Sequence, residues 1–223
     1  MKMSYNVAID GPAGAGKSTI AKAVAKKMNL IYVDTGAMYR AMALFMLREG
    51  ITPQDTDGIS KKCHEADITI AYENGEQVVY LNGENVNRFL RTEEVGNMAS
   101  VTSAQPAVRG KLVELQQALA AKSDCIMDGR DIGTSVLPNA QVKIYLTASS
   151  AVRAKRRYDE LIAKGENCDL AKIQADIEER DYRDMHREHS PLKQAADAIL
   201  VDSSDMTIDE VISCIIEICE AAI

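Results

Sequence analysis

An α/β fold, with a parallel sheet flanked by helices and a small antiparallel sheet inserted, is predicted by three features of this 223-residue sequence. Its opening alternates short apolar runs with helical periodicity in the order strand, glycine-rich turn, helix, strand, helix. Its middle changes to period-two alternation around two Asn-Gly dipeptides. The remainder returns to short apolar runs separated by long charged helices.

Taken in order, Tyr5 to Ile9 reads as a short buried strand, and Lys17 to Met28 as a helix whose apolar face is Ile20, Ala23, Val24 and Ala25. Leu30 to Val33 is a second strand ending at Asp34, and Thr35 can cap a helix running through Met38 to Leu47. In Asp67 to Tyr72 the residues Ile68, Ile70 and Tyr72 share one face, and Asn74-Gly75 turns the chain into Gln77 to Leu81. Asn82-Gly83 follows directly, so a small sheet is expected between about residues 60 and 100. After a helix around Val108 to Ala121, the strands Cys125 to Met127 and Val142 to Leu146 resume the parallel pattern. A helix from Ser150 to Lys164 stops at Gly165, a residue suited to a left-handed cap. A charged helix from about Leu170 to Glu188 ends at Ser190-Pro191, because proline disfavours helix in the residue before it. The strand Ala198 to Val201 and a helix from Ile208 complete the pattern.

The composition, 46% hydrophobic and 26% charged, is that of an ordinary globular domain. A net charge of −7 works against a nucleic-acid or anionic-lipid footprint, so small anions must be met by locally gathered Arg and Lys. The cysteines, Cys63, Cys125, Cys168, Cys214 and Cys219, are odd in number and form no Cys-x-x-Cys pair, which points away from disulfides and zinc and towards a reducing compartment. Lys2 precedes an apolar run, Val7 to Ile9, that is too short for a signal-peptide core. A soluble cytoplasmic monomer is expected, with no nucleic-acid or membrane partner.

The chemistry begins at Gly11-Pro12-Ala13-Gly14-Ala15-Gly16-Lys17-Ser18, which satisfies G-x-x-x-x-G-K-[ST] between a predicted strand and a predicted helix. Glycines let backbone N–H groups converge on one concavity, the helix presents its positive end, and Lys17 reaches the outer phosphates. Ser18 supplies a hydroxyl for Mg²⁺. The pattern predicts a P-loop NTPase-type sheet that binds a nucleoside triphosphate. A flexible glycine turn with a chance lysine is the bland alternative, and the strand and helix flanks argue against it.

Such a loop serves switches and motors as well as small-molecule kinases. The guanine-reading Asn-Lys-x-Asp is absent, and the Asp-x-x-Gly at Asp55 to Gly58 lies in a polar turn instead of at a strand end. A kinase needs arginines beyond the loop to stabilise a phosphoryl group in transit. Arg153, Arg156 and Arg157 share one helical face, and Arg180, Asp184 and Arg187 another. Asp128-Gly129-Arg130-Asp131 follows a strand, where ligands of parallel sheets bind. Solvated helix faces remain the plain alternative for the two helical sets. His186 and His189 lack a third metal ligand and read as surface residues.

Several separate segments in this order resemble the bacterial cytidylate kinases, a family of P-loop nucleoside monophosphate kinases. They are V-A-I-D-G-P-A-G-A-G-K-S-T at 7–19, D-T-G-A-M-Y-R at 34–40, R-T-E-E-V at 91–95, D-G-R-D-I-G-T at 128–134 and R-D-Y-R-D-M-H-R at 180–187. The resemblance implies one domain with a core of residues 1–59, 103–147 and 190–223, a monophosphate-binding insertion at 60–102, and a helical lid with its flanking helix at 148–189. It implies transfer of the ATP γ-phosphate to CMP or dCMP with Mg²⁺. ATP would be held by residues 11–19, from Gly11 to Thr19, with Ser18 on the metal. Thr35, Tyr39, Arg40, Ser100, Arg109, Arg130, Asp131, Arg180, Asp184 and Arg187 would hold the acceptor. Lys17, Arg130, Arg153 and Arg157 would act in catalysis. Within that set, Ser100, Arg109 and Asp131 would read cytosine, and a carboxylate suits its N4 amino group but repels the O4 of uracil. A UMP/CMP or other small-molecule kinase is the nearest alternative, and a nucleotide-binding switch the more distant one.

Overall fold

The computed structural model describes residues 4–222, so Lys2 lies outside the described residues. It divides into two compact units, residues 1–31 with 123–223, and residues 32–122.

In the first unit, β1 (Asn6–Asp10) runs into a turn of glycines and then α1 (Lys17–Met28). Later come β6 (Cys125–Gly129), β7 (Val142–Thr147), α6 (Ser150–Ala163), α7 (Leu170–His186), β8 (Ile199–Asp202) and α8 (Ile208–Glu220). The sheet has the order β2-β6-β1-β7-β8, with β2 spanning Ile31–Asp34; the Ile31 N–H donates to the Asp124 carbonyl at 3.0 Å. The β1 pairs with β6 and β7 are parallel, as is that of β7 with β8. Val7, Ala8 and Ile9 of the central strand are wholly buried, which explains an unbroken apolar run instead of an alternating one. The helix α8 buries Val211, Ile212, Ile215 and Cys219, packs on α1, and starts at a capping box in which Thr207 and Glu210 bond reciprocally. Gly165, at φ 79°, closes α6 as expected.

The strand β6 is longer than the sequence predicts. Asp128 and Gly129 pair with Ile9 and Asp10, so the ladder of β1 carries the strand through the Asp-Gly that reads locally as a turn. The following residues, Ile132–Val136, form one wide helical turn.

In the second unit, α2 (Thr35–Arg48) is capped by Asp34, not Thr35: the Asp34 carboxylate accepts the Ala37 N–H at 2.9 Å, and Thr35 is the first helical residue. Met38, Ala41, Met42, Phe45 and Met46 are buried, and α2 packs on α4 (Glu93–Thr102) and β4 (Glu76–Leu81). The small sheet is β3 (Ile68–Glu73), β4 and the two-residue β5 (Glu84–Asn85). Asn74 and Gly75, at φ 53° and 80°, make the tight turn their sequence demands, with Glu73 opposite Glu76. Asp55 caps the short helix α3 (Thr56–Lys62) by accepting the Gly58 N–H, so its Asp-x-x-Gly is local capping. The helix α5 (Pro106–Lys122) completes the unit. Among the described residues no helix is long and apolar enough to cross a membrane.

Candidate active site

Gly11 leaves β1 at a position no other residue can occupy, because a Cβ there would lie 1.9 Å from the Leu146 carbonyl oxygen of β7. Gly16, at φ 84°, gives the left-handed conformation that turns the chain into α1. Between them, Pro12, Ala13 and Ala15 are buried while Gly14 is exposed; Thr19 is exposed one turn into the helix. Lys17 opens α1, and its buried ammonium donates to the Gly11 and Pro12 carbonyls at 2.7 and 2.6 Å. Burial pushes its pKa well below the ordinary lysine value, and the Arg130 charge adds to this, while Asp128, Asp10 and Asp184 oppose it. A site that destabilises a bare ammonium favours a ligand bringing full negative charge.

Next along α1, the Ser18 hydroxyl donates to the Asp128 carboxylate at 2.8 Å. Asp128 sits at the end of an apolar strand beside the phosphate loop, a signal present in the sequence but read there only as part of the Asp128–Asp131 cluster. The two side chains are hard oxygen donors of the type that, with phosphate oxygens and water, suits Mg²⁺. Among the described residues no group of three or more His, Cys, Asp or Glu gathers into a closed metal cage. An open pair of donors fits a cation that shares its coordination with a nucleotide.

The segment after Asp128 is tied down at each residue. Arg130 donates from Nε to Asp184 of α7 at 2.9 Å, and Asp131 lies 3.5 Å from an Arg187 guanidinium nitrogen. Burial alone would raise the Asp184 pKa, but Arg130 and, more weakly, Arg180 and Arg187 hold it below the ordinary carboxylate range. The sequence-predicted cluster of Arg130, Asp131, Arg180, Asp184 and Arg187 is therefore assembled as one charge network. Arg187 joins it from just beyond the helix, since α7 ends at His186 and Arg187 is extended. Asp10 fastens the same segment from below, accepting the Ile132 and Gly133 N–H groups, each at 2.7 Å.

The three arginines of α6 do not act as one face. Arg153 is buried, and its guanidinium donates to Ala148 O, Ala13 O and the Asp181 carboxylate at 2.8, 2.8 and 2.6 Å. Arg156 is bound to the Ser203 carbonyl, and Arg157 is exposed beside Glu160. Helical spacing places all three together, but partners on α7 and in the segment after β8 separate them. His186 stacks on Tyr182, its ring centroid 4.0 Å away, on the exposed side of α7.

The second unit holds the remaining candidates. Thr35 is buried at the start of α2, one turn before Tyr39 and Arg40. Arg109 of α5 is buried with its guanidinium 5.6 Å over the Tyr39 ring, and it donates to the Ser103 carbonyl at 3.4 Å. Ser100 lies half-buried on α4. Two residues outside the predicted set support Asp34, at the head of α2. Gln77 bonds both its backbone N–H and C=O, and Arg91 donates to its carboxylate at 2.9 Å. Arg91 lies in R-T-E-E-V, whereas an exposed-looking Gln in a hairpin carries no such signal.

A parallel sheet with a glycine-rich phosphate loop, its lysine and hydroxyl, and a strand-end aspartate on that hydroxyl define a P-loop nucleotide-binding protein. The cytidylate kinase profile matches residues 7–221. The cytidylate kinase of Lactobacillus gasseri is 52% identical over 212 residues, covering 95% of this chain and 92% of that one. That of Ligilactobacillus salivarius is 49% identical over 220 residues, covering 99% and 98%. The chain belongs to the cytidylate kinase family. A solved structure of an uncharacterised protein from Eubacterium ventriosum, 12% identical, superposes with a TM-score of 0.50 over 98% of this chain and 99% of that one, a likeness of fold alone.

Proposed function

We propose that the protein transfers the γ-phosphate of ATP to CMP or dCMP, giving ADP and CDP or dCDP. The observation that carries this reading is the continuity of Asp128 with Arg130 and Asp131. A single tethered segment holds the partner of the phosphate-loop hydroxyl and, two to three residues on, a charge network fit for a second phosphate and a base.

In this reading residues 11–19 hold ATP, and Lys17 exchanges its two carbonyl partners for phosphate oxygens. Ser18 and Asp128 would hold Mg²⁺, which supplies charge shielding to the phosphates when bound. Arg130 and Arg40 meet the acceptor phosphate, and Arg180, Asp184 and Arg187 its phosphate and sugar. Thr35 and Tyr39 flank the acceptor nucleotide, while Ser100, Arg109 and Asp131 read cytosine. The Asp131 carboxylate, 3.5 Å from Arg187, accepts from the N4 amino group. Residues 148–189 act as a lid that excludes water, with Arg157 on the transferring phosphoryl group. Arg153 contributes by fixing Ala13 of the phosphate loop. No covalent intermediate is needed, because an aligned acceptor oxygen attacks phosphorus in line.

An ADP-release assay with ATP and CMP, dCMP, UMP, AMP or shikimate tests the reading. The expected result is turnover with the two cytidine monophosphates well above the rest. Preference for another acceptor overturns it, and nucleotide binding without acceptor-stimulated turnover indicates a switch protein.

A further inference from the structure

The buried carboxylate of Asp10 belongs to none of the groups that handle phosphate or base, yet both of its oxygens are committed. It is the last residue of β1, immediately before Gly11, and it receives the N–H groups of two consecutive residues, Ile132 and Gly133. These directly follow Arg130 and Asp131. We propose that Asp10 is a positioning residue that fixes the Arg130–Asp131 pair relative to the phosphate loop and so sets the enzyme's selectivity for its acceptor.

Three further features support a rigid mount. The Asp131 carbonyl accepts the N–H groups of Ser135 and Val136 at 2.8 and 3.2 Å, so the turn that begins at Asp131 is closed on itself. Gly133 is held on two sides: a Cβ there would lie 3.2 and 3.3 Å from the Lys143 stem and 3.4 Å from the Asp10 carboxylate. That stem is itself fixed, since the buried Lys143 ammonium donates to Pro138 O and to both Asp197 oxygens. Burial raises the Asp10 pKa to about 6 against the two N–H bonds that lower it, so keeping a charge here is costly. An apolar residue would avoid that cost, but it would free two buried N–H groups and the turn they anchor.

The inference rests on the proposed CMP kinase reading, and its test separates the two. Asp10→Asn keeps one acceptor oxygen and turns an NH₂ group towards the other N–H. Gly133→Ala presses on the same mount from the Lys143 side without changing charge, and carries the test if Asp10→Asn does not fold. With the folded proteins and Mg²⁺-ATP, both variants should lose about tenfold or more in kcat/KM for CMP, through KM and the CMP:UMP ratio. The calorimetric affinity for Mg²⁺-ATP should move by less than about threefold, because the phosphate loop keeps its own bonds. An unchanged KM for CMP and an unchanged CMP:UMP ratio, with only a lowered Tm, overturn the inference by making Asp10 purely structural. Loss of ATP affinity equal to the loss for CMP also overturns it. A wild-type protein that does not prefer CMP overturns the reading itself and the inference with it.

Discussion

Arg153 and Asp181 form a buried ion pair at 2.6 Å that joins α6 to α7, and the same guanidinium reaches back to the Ala13 carbonyl of the phosphate loop. One side chain thus ties both helices of the proposed lid to the loop they would cover. Removing one partner of a buried pair leaves the other charged and unsolvated, at a cost of about 3–5 kcal/mol. Arg153→Ala should therefore lower stability by about 3 kcal/mol in urea unfolding and reduce kcat. Arg157→Ala, from an exposed pair with Glu160, should stay within about 0.5 kcal/mol of wild type while still lowering kcat. Equal stability losses for the two would contradict the assignment of Arg153 as a tether.

Gly11 offers a sharper steric test. A methyl group at this position cannot coexist with the Leu146 carbonyl 1.9 Å away, and the obstacle is backbone in the sheet, not a yielding side chain. Gly11→Ala should destabilise the protein by about 3 kcal/mol or more, or abolish ATP binding if the loop moves to escape the clash. Gly16→Ala meets no neighbour within 4 Å, so its cost should be limited to the strain of a left-handed alanine, about 1 kcal/mol. Thermal melts and ATP titrations of the two variants distinguish these outcomes.

These contrasts also mark what was legible in the sequence. The helix Lys17–Met28 and the hairpin around Asn74-Gly75 follow from local chemistry, periodicity and turn residues, and both appear where the sequence puts them. The end of β6 does not, because Asp128 and Gly129 join the sheet only through pairing with β1, over a hundred residues earlier. Likewise the spacing of Arg153, Arg156 and Arg157 is local, whereas Asp181 and Ser203, which bind Arg153 and Arg156 and draw them apart, are distant in the chain. The tether at Asp10 was hidden for the same reason: an aspartate ending an apolar strand looks like the entry to a loop until its partners at Ile132 and Gly133 are known.

The pKa of Asp10 carries a pH signature. Burial lifts it to about 6 in the folded protein from 3.8, so the folded state holds this proton where the unfolded chain has released it. Between these values folding takes up a proton, and this group's contribution to stability falls as pH rises, reaching a constant penalty above about 6. The interval corresponds to about 3 kcal/mol at most. Asp10→Asn should remove that slope, so the wild-type minus variant stability should decline from pH 4 to pH 6 and then level off. A difference independent of pH would show that Asp10 ionises freely in the fold.

In the proposed reading, Asp131 bears on the choice of acceptor. Its carboxylate is buried and lies 3.5 Å from Arg187, and the carboxylate form of a side chain only accepts hydrogen bonds. Cytosine offers that form an amino donor and uracil a second acceptor, and a mismatch of this kind is worth about 1–3 kcal/mol. Asp131→Ala should therefore bring kcat/KM for CMP and UMP closer by about ten- to a hundredfold, chiefly by losing CMP. Asp131→Asn should go further in relative terms, because its amide NH₂ can donate to the uracil O4 that the carboxylate repels. A CMP:UMP ratio unchanged in both variants, with kcat reduced equally for the two acceptors, would move Asp131 from base reading to support of Arg187.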